Sequence, residues 1–338
     1  MKPKLTSRVL TQRLTLLALG ACTHVIHAQT TRTWDAGGVP ATNMDLAANW
    51  SDDVVPTGAG TGDTAQWDGS VPGPLSLTYT AAGTGANLGA GGGIFLSVLG
   101  TQTSSLMINE ASGTAGLRIR DLTVASGAGA LTFGGLTGAT NDILNLGSNT
   151  VVNHTWTNNS SNPVTFSSDV RFAAGGAVTH ALTLTGTGNW NVNTSLIKFE
   201  NGTINVIKDG AGTMNIGTVN SLGNAAFTIN AGTINNSNGA ALTTVAASHV
   251  LNGDFSFATG ASVSPANDLT LGTGAVSLGA AAGTSRTITT NGAALLTLPT
   301  IISNGTTANS LIKSGTGGLR LDGANTFSGG FTLNAGTL

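Results

Sequence analysis

Residues 312–338 read IKSGTGGLRLDGANTFSGGFTLNAGTL, and residues 207–234 read IKDGAGTMNIGTVNSLGNAAFTINAGTI. The two stretches align as Ile-Lys-x-Gly-x-Gly, then apolar-x-apolar, then Phe-Thr-apolar-Asn-Ala-Gly-Thr-apolar, with one residue inserted in the upstream copy. Ile207 falls on Ile312, Gly210 and Gly212 on Gly315 and Gly317, and Phe227 to Ile234 on Phe331 to Leu338. A unit this short cannot bury its own apolar residues, so an internal repeat of this kind implies units stacked on their neighbours.

The pattern extends outward from these copies. From Leu75 on, the chain is a series of apolar-x-apolar triplets separated by Gly, Asn, Ser and Thr, among them Leu117-x-Ile119, Leu131-x-Phe133, Val164-x-Phe166, Leu182-x-Leu184 and Phe255-x-Phe257. A period of two over three to five residues is the strand signature, with one face turned inward. Asp209-Gly210, Asn252-Gly253, Asn291-Gly292 and Asn304-Gly305 supply the turns, as does Asn201-Gly202. No stretch after the N-terminal 28 residues carries a helical period. Many short strands with frequent turns suit an antiparallel sandwich or barrel, or a parallel solenoid. Aromatics make up only 5% of the chain, few for a sandwich core, and the recurring Asn-Ala-Gly-Thr phrase suits side-chain ladders along a stack. The fold class is therefore all-β, a right-handed parallel β-helix with coils of roughly 20 to 25 residues.

Composition agrees. Charged residues are 8% and apolar residues 40% of 338, against the low apolar content of disordered chains. The 49 glycines keep no period of three and prolines number 8, which excludes collagen.

Residues 1–28 read as a signal peptide, with Lys2, Lys4, Arg8 and Arg13 before a short apolar run and a small residue, Ala28, ahead of a cut before Gln29. Leu19-Gly-Ala-Cys22 also resembles a lipobox, and a lipid-anchored envelope protein is a second alternative resting on Cys22, the single cysteine. Cleavage before Gln29 leaves no cysteine, and nine basic against fifteen acidic residues. Such a balance argues against a nucleic-acid partner, and no other stretch is long and apolar enough for a transmembrane span. Residues 29–70 form an N-terminal cap segment, rich in Trp (Trp34, Trp50, Trp67) and Asp, ahead of a β-helical region over 71–338. Open solenoid ends need such covers.

The terminal phrase, Lys313-Ser-Gly-Thr-Gly through Leu333-Asn-Ala-Gly-Thr-Leu338, closely resembles the autotransporter-associated β-strand repeat, also described as the passenger-associated transport repeat. Thr33-Trp-Asp-Ala-Gly, Asn49-Trp50 and Gly62-Asp-Thr-Ala are similar to the opening of many such proteins. The resemblance implies a β-helical passenger exported to the surface of, or secreted from, a Gram-negative-type bacterium. It also implies that the repeat helps the passenger fold during export. It carries no catalytic residues. The departure is that no membrane barrel or sorting helix follows the last repeat, so the sequence predicts either a piece of a longer exported β-helix or a passenger exported by another protein.

Side chains that could carry chemistry are scattered. Glu110 and Glu200 are the only glutamates, and Asp52-Asp53, with Asp63, matches no calcium loop. Gly91-Gly-Gly lacks the Lys-Ser/Thr of a phosphate loop. His154, His180 and His249 are far apart in sequence and read as turn or surface residues unless stacking brings them together; Arg118 and Arg120 read as an outer strand face. The expectation is a non-catalytic structural or adhesin-like protein with no cofactor and no metal. Its expected partners are the export machinery and a cell-surface glycan or a host or matrix receptor. The alternative is a carbohydrate-active β-helix or glycan-binding module, whose first sign would be a groove lined by Trp156, Trp190 or Trp67 beside Asp169 or Glu200.

Overall fold

The structure, a computed structural model, describes residues 29–79, 92–110, 117–134, 144–146, 153–167, 170–172, 179–193, 198–199, 203–257, 267–280 and 284–338. The signal segment with Cys22, and Gly91, Asp169, Glu200 and Asn201-Gly202, lie outside the described residues.

Alternation in sequence becomes alternation in space. In Ile94–Val98 the residues Ile94, Leu96 and Val98 are buried while Phe95 and Ser97 are only partly covered. The same phase recurs in Thr179–Thr185 and Thr213–Ile216. Each of these three strands hydrogen-bonds to its neighbour one coil later and skips what lies between, and every pairing between named strands is parallel. The first sheet begins with Thr31–Thr33, Thr64–Trp67 and Ile94–Val98 and continues through Leu117–Val124, Asn153–Asn158, Thr179–Thr185, Thr203–Lys208, Ala226–Ile229 and Ser248–Leu251 to Ile302–Ser303. The second has 11 strands, from Leu75–Tyr79 to Phe331–Leu333, which fixes the number of described coils on that face.

A third side appears in two places. Leu144–Leu146, Val170–Phe172 and Lys198–Phe199 form one strip, joined to the first half of Leu117–Val124. Leu242–Thr243, Leu269–Thr270, Leu295–Leu298 and Gly318–Leu321 form the other. The chain thus visits three sides in turn, as expected of a right-handed parallel β-helix, because right-handed crossovers are strongly preferred between parallel strands. Spacing between register partners runs from the 20 residues of Met214 to Ile234 up to the 34 of Leu122 to Trp156, so some coils exceed the expected length. Eleven rungs at ~4.8 Å give a stack about 48 Å long.

Inside, residues in register make columns. Phe133 stacks on Phe166 with ring centroids 5.8 Å apart, and Phe166 on Trp190 at 6.1 Å. Outside, polar side chains make ladders: the Asn191 amide donates to Thr165, Asn215 to Asn191 (2.7 Å) and Asn235 to Asn215 (3.0 Å). At the N-terminal end Trp50 packs edge-on against both Trp34 and Trp67, and its indole N–H donates to the Met44 carbonyl. Among the described residues the only helical element is the short 3-10 turn Ala47–Asn49, and no helix is long and apolar enough to cross a membrane.

Candidate functional site

The repeat itself is the most defined site. In Thr203–Lys208 the inward phase is Ile204, Val206, Lys208, so the lysine follows two core residues into the interior and is fully buried. In Ser310–Ser314, Leu311 and Lys313 do the same. A buried ammonium is costly unless each of its three hydrogens meets an acceptor. Lys208 Nζ donates to the carbonyls of Asp209 (2.7 Å), Gly210 (2.8 Å) and Ala231 (3.1 Å). Lys313 Nζ donates to Ser314 (2.7 Å), Gly315 (2.9 Å) and Ala335 (3.1 Å). Two acceptors lie in the turn just after the lysine, and the third lies one coil later. Each lysine therefore ties two successive corners together. Burial pushes the Lys208 amine down to about 8, with Asp209 opposing, and pushes Lys313 down as well. At neutral pH Lys208 is still an ammonium with three donors for three carbonyls.

The surrounding motif residues serve this corner. Asn230 N–H donates to the Lys208 carbonyl at 2.9 Å and Asn334 N–H to that of Lys313 at 2.8 Å. Gly232 and Gly336 have φ of +87° and +81°, and a Cβ on either would come under 3.0 Å from the lysine Nζ and from the carbonyl oxygens of the previous corner. Each repeat also folds onto itself: Ile207 and Lys208 pair with Thr228 and Ile229, and Ile312 and Lys313 with Thr332 and Leu333.

Other corners use side chains that sequence reading missed. Asn158 and Asn236, both buried, each donate to a carbonyl four residues on and to one on the next coil, Asn189 and Asp268 respectively. Arg286 Nε donates to Leu251 and Leu278 carbonyls from inside the helix. Arg286 and the two lysines sit in the inward phase of their strands, and a polar residue in that phase is the signal that could have found them.

The residues singled out from sequence fall as follows. Asp63 and Asp52 converge on the Arg32 guanidinium, Asp63 Oδ2 accepting from Nε at 2.9 Å. Burial opposes the charge on Arg32, but both aspartates outweigh it and hold its pKa above the ordinary value. Asp53 is exposed. Among the described residues no group of three or more His, Cys, Asp or Glu side chains could hold a metal ion. His154 and His180 stack at 6.1 Å, and His154 Nδ1 lies 2.8 Å from the Arg120 carbonyl. His249 packs against Phe227. All three histidines are buried on inward positions of the first sheet and are not turn or surface residues, because each shares the phase of apolar neighbours such as Trp156, Leu182 and Leu251. Arg120 lies over the Phe95 ring and donates to Thr61. Trp67, Trp156 and Trp190, the markers of a sugar groove, are 1%, 0% and 0% exposed. The concavity on the second sheet, about 610 Å³, is lined instead by Asp209, Asp254, Thr233, Ser256, Thr287 and Thr289. Asp254 already accepts the Thr287 N–H at 2.7 Å.

A parallel β-helix whose repeated coils are closed by buried lysines is the class that this geometry defines. The passenger-associated-transport-repeat family model matches residues 311–338, the coil that Lys313 closes. Comparison with curated proteins found no match, and comparison with solved structures found none.

Proposed function

We propose that the chain is an exported, passenger-like β-helix that is displayed at the cell surface or secreted, and that its repeats help the helix fold as it emerges. The observation that carries this reading is the family match over residues 311–338. The lysine-closed corner within that match supports it, because a coil that secures itself on the coil before it can fold in order along the chain. We read the rod as structural or adhesin-like and non-catalytic, with export machinery and a surface glycan or receptor as partners. Burial of Trp67, Trp156 and Trp190 weighs against the glycan-cleaving alternative.

The test is expression of the full chain in a Gram-negative host, followed by fractionation, external protease treatment and mass spectrometry of the N-terminus. Recovery at the surface or in the medium, starting at Gln29, is the expected result; a lipidated Cys22 would move the chain to the anchored class. Recovery from the cytoplasm with residues 1–28 still attached would sink the reading. Release of reducing ends from a polysaccharide panel would end the non-catalytic assignment.

A further inference from the structure

We propose that each repeat is a self-registering coil lock, in which the buried lysine selects one alignment of a coil on the coil before it, whichever side of the prism carries the repeat. The proposal deepens the functional reading above, and rests on it only for the setting in which the lock acts.

The need for a lock follows from the strands themselves. A slip of one residue between coils turns the apolar set outward and is strongly resisted. A slip of two residues keeps the apolar set inside. In strands built largely from Thr, Ser, Asn and small residues, the outer ladders would then meet near-equivalent partners. Little in the apolar pattern opposes that error. A buried lysine does, because its third acceptor sits at a single position on the next coil: Ala231 for Lys208 and Ala335 for Lys313. After a two-residue slip that carbonyl is displaced and a buried ammonium hydrogen is left without an acceptor, which is strongly unfavourable. A single buried polar side chain fixes register in coiled coils in the same way.

Two features separate a lock from a local packing detail. The first is its recurrence: the upstream copy lies outside the residues that the family model matches, yet its lysine finds the same three carbonyls at nearly the same distances. The second is its placement. The lysine strand of the upstream copy is in the first sheet and continues to Thr213–Ile216 in the second. The downstream copy starts in the second sheet and continues to Gly318–Leu321 in the third. The same phrase thus closes a coil from two different sides, so the information is in the repeat and not in the side it occupies.

Amide hydrogen exchange on the purified full chain tests this apart from export. In Lys208→Met, exchange at Asn230 should accelerate about tenfold to a hundredfold while Asn334 keeps its rate, and Lys313→Met should show the reverse. Unchanged protection in both variants would mean that the lysines only fill space, and would overturn the proposal. A second chain, with segments 207–234 and 312–338 exchanged, covers the case in which the methionine variants do not fold. It should retain wild-type protection at both corners. Loss of protection at both would show that the repeats are specific to their sides. A failed localisation assay with intact exchange behaviour would remove the export reading and leave the lock standing.

Discussion

Replacing Gly232 by alanine isolates the energy held in the repeat corner. The new Cβ would lie under 3.0 Å from the Gly210 and Gly212 carbonyl oxygens and from Lys208 Nζ. None of these can swing aside freely, since two are backbone and the third is anchored on both coils. Gly239→Ala is the matched control: its φ is +88°, almost the same as the +87° of Gly232, but a Cβ there meets nothing within 4 Å. Both substitutions carry the left-handed penalty of about 1–2 kcal/mol. Gly232→Ala must also displace at least one carbonyl from the ammonium, and a hydrogen bond to a charged group contributes about 1.5–3 kcal/mol. The expected total is about 2.5–5 kcal/mol for Gly232→Ala against about 1–2 kcal/mol for Gly239→Ala. Urea denaturation followed by circular dichroism gives the comparison. Amide exchange over residues 226–236 gives a local readout, because solenoids open in pieces. Equal losses in the two variants, within about 0.5 kcal/mol, would refute the idea that the corner is a tight, lysine-filled joint.

Three further outcomes follow from the core and the cap. Burial pushes the His249 imidazole down to about 4, so between pH 6.5 and 4 the unfolded chain binds a proton that the native chain does not. The stability from this group is complete above pH 6.5 and is lost on acidification, about 3 kcal/mol in all, and His249→Phe should flatten that part of a pH-dependent melting series. Phe166→Ala removes the middle ring of the Phe133–Phe166–Trp190 stack and should cost about 3–5 kcal/mol, read by urea titration with loss of near-ultraviolet dichroism. Asp63→Asn leaves the nearly buried Arg32 with only the more exposed Asp52, and should cost about 3 kcal/mol with faster amide exchange across Thr31–Thr33.

Most of the strand pattern was legible in the sequence, for a physical reason: a strand needs only alternation, and triplets such as Val164-x-Phe166 and Leu182-x-Leu184 carry it without any long-range information. The repeat showed that coils stack, and its Asn-Ala-Gly-Thr phrase suggested ladders, realised where the Asn252 amide donates to Asn230 at 3.0 Å. The function of the lysine was not legible. A lysine is usually a surface residue, and only its phase relative to Ile204 and Val206 marks Lys208 as interior. The histidines were misplaced for the same reason, since His180-x-Leu182-x-Leu184 is an inward run that begins with a polar residue. Corner residues such as Asn158 and Asn236 were hidden by composition, because in an Asn-rich chain nothing local separates a buried bracket from a surface turn. The sides taken by the two repeats depend on how many residues lie between them, a sum over loops that no single segment encodes.

The fold and the lysine lock both require coils stacked in parallel at one rung per turn. Spin labels at Thr132 and Ser314, in a Cys22→Ser background, test that directly by pulsed electron resonance. The two residues lie on outward positions of the second sheet, seven rungs apart in its strand order. A parallel β-helix predicts a narrow distance distribution centred near 34 Å, at ~4.8 Å per rung and allowing for the label arms. A broad distribution, or a mean far from that spacing, would contradict the stacked architecture and with it the lysine lock.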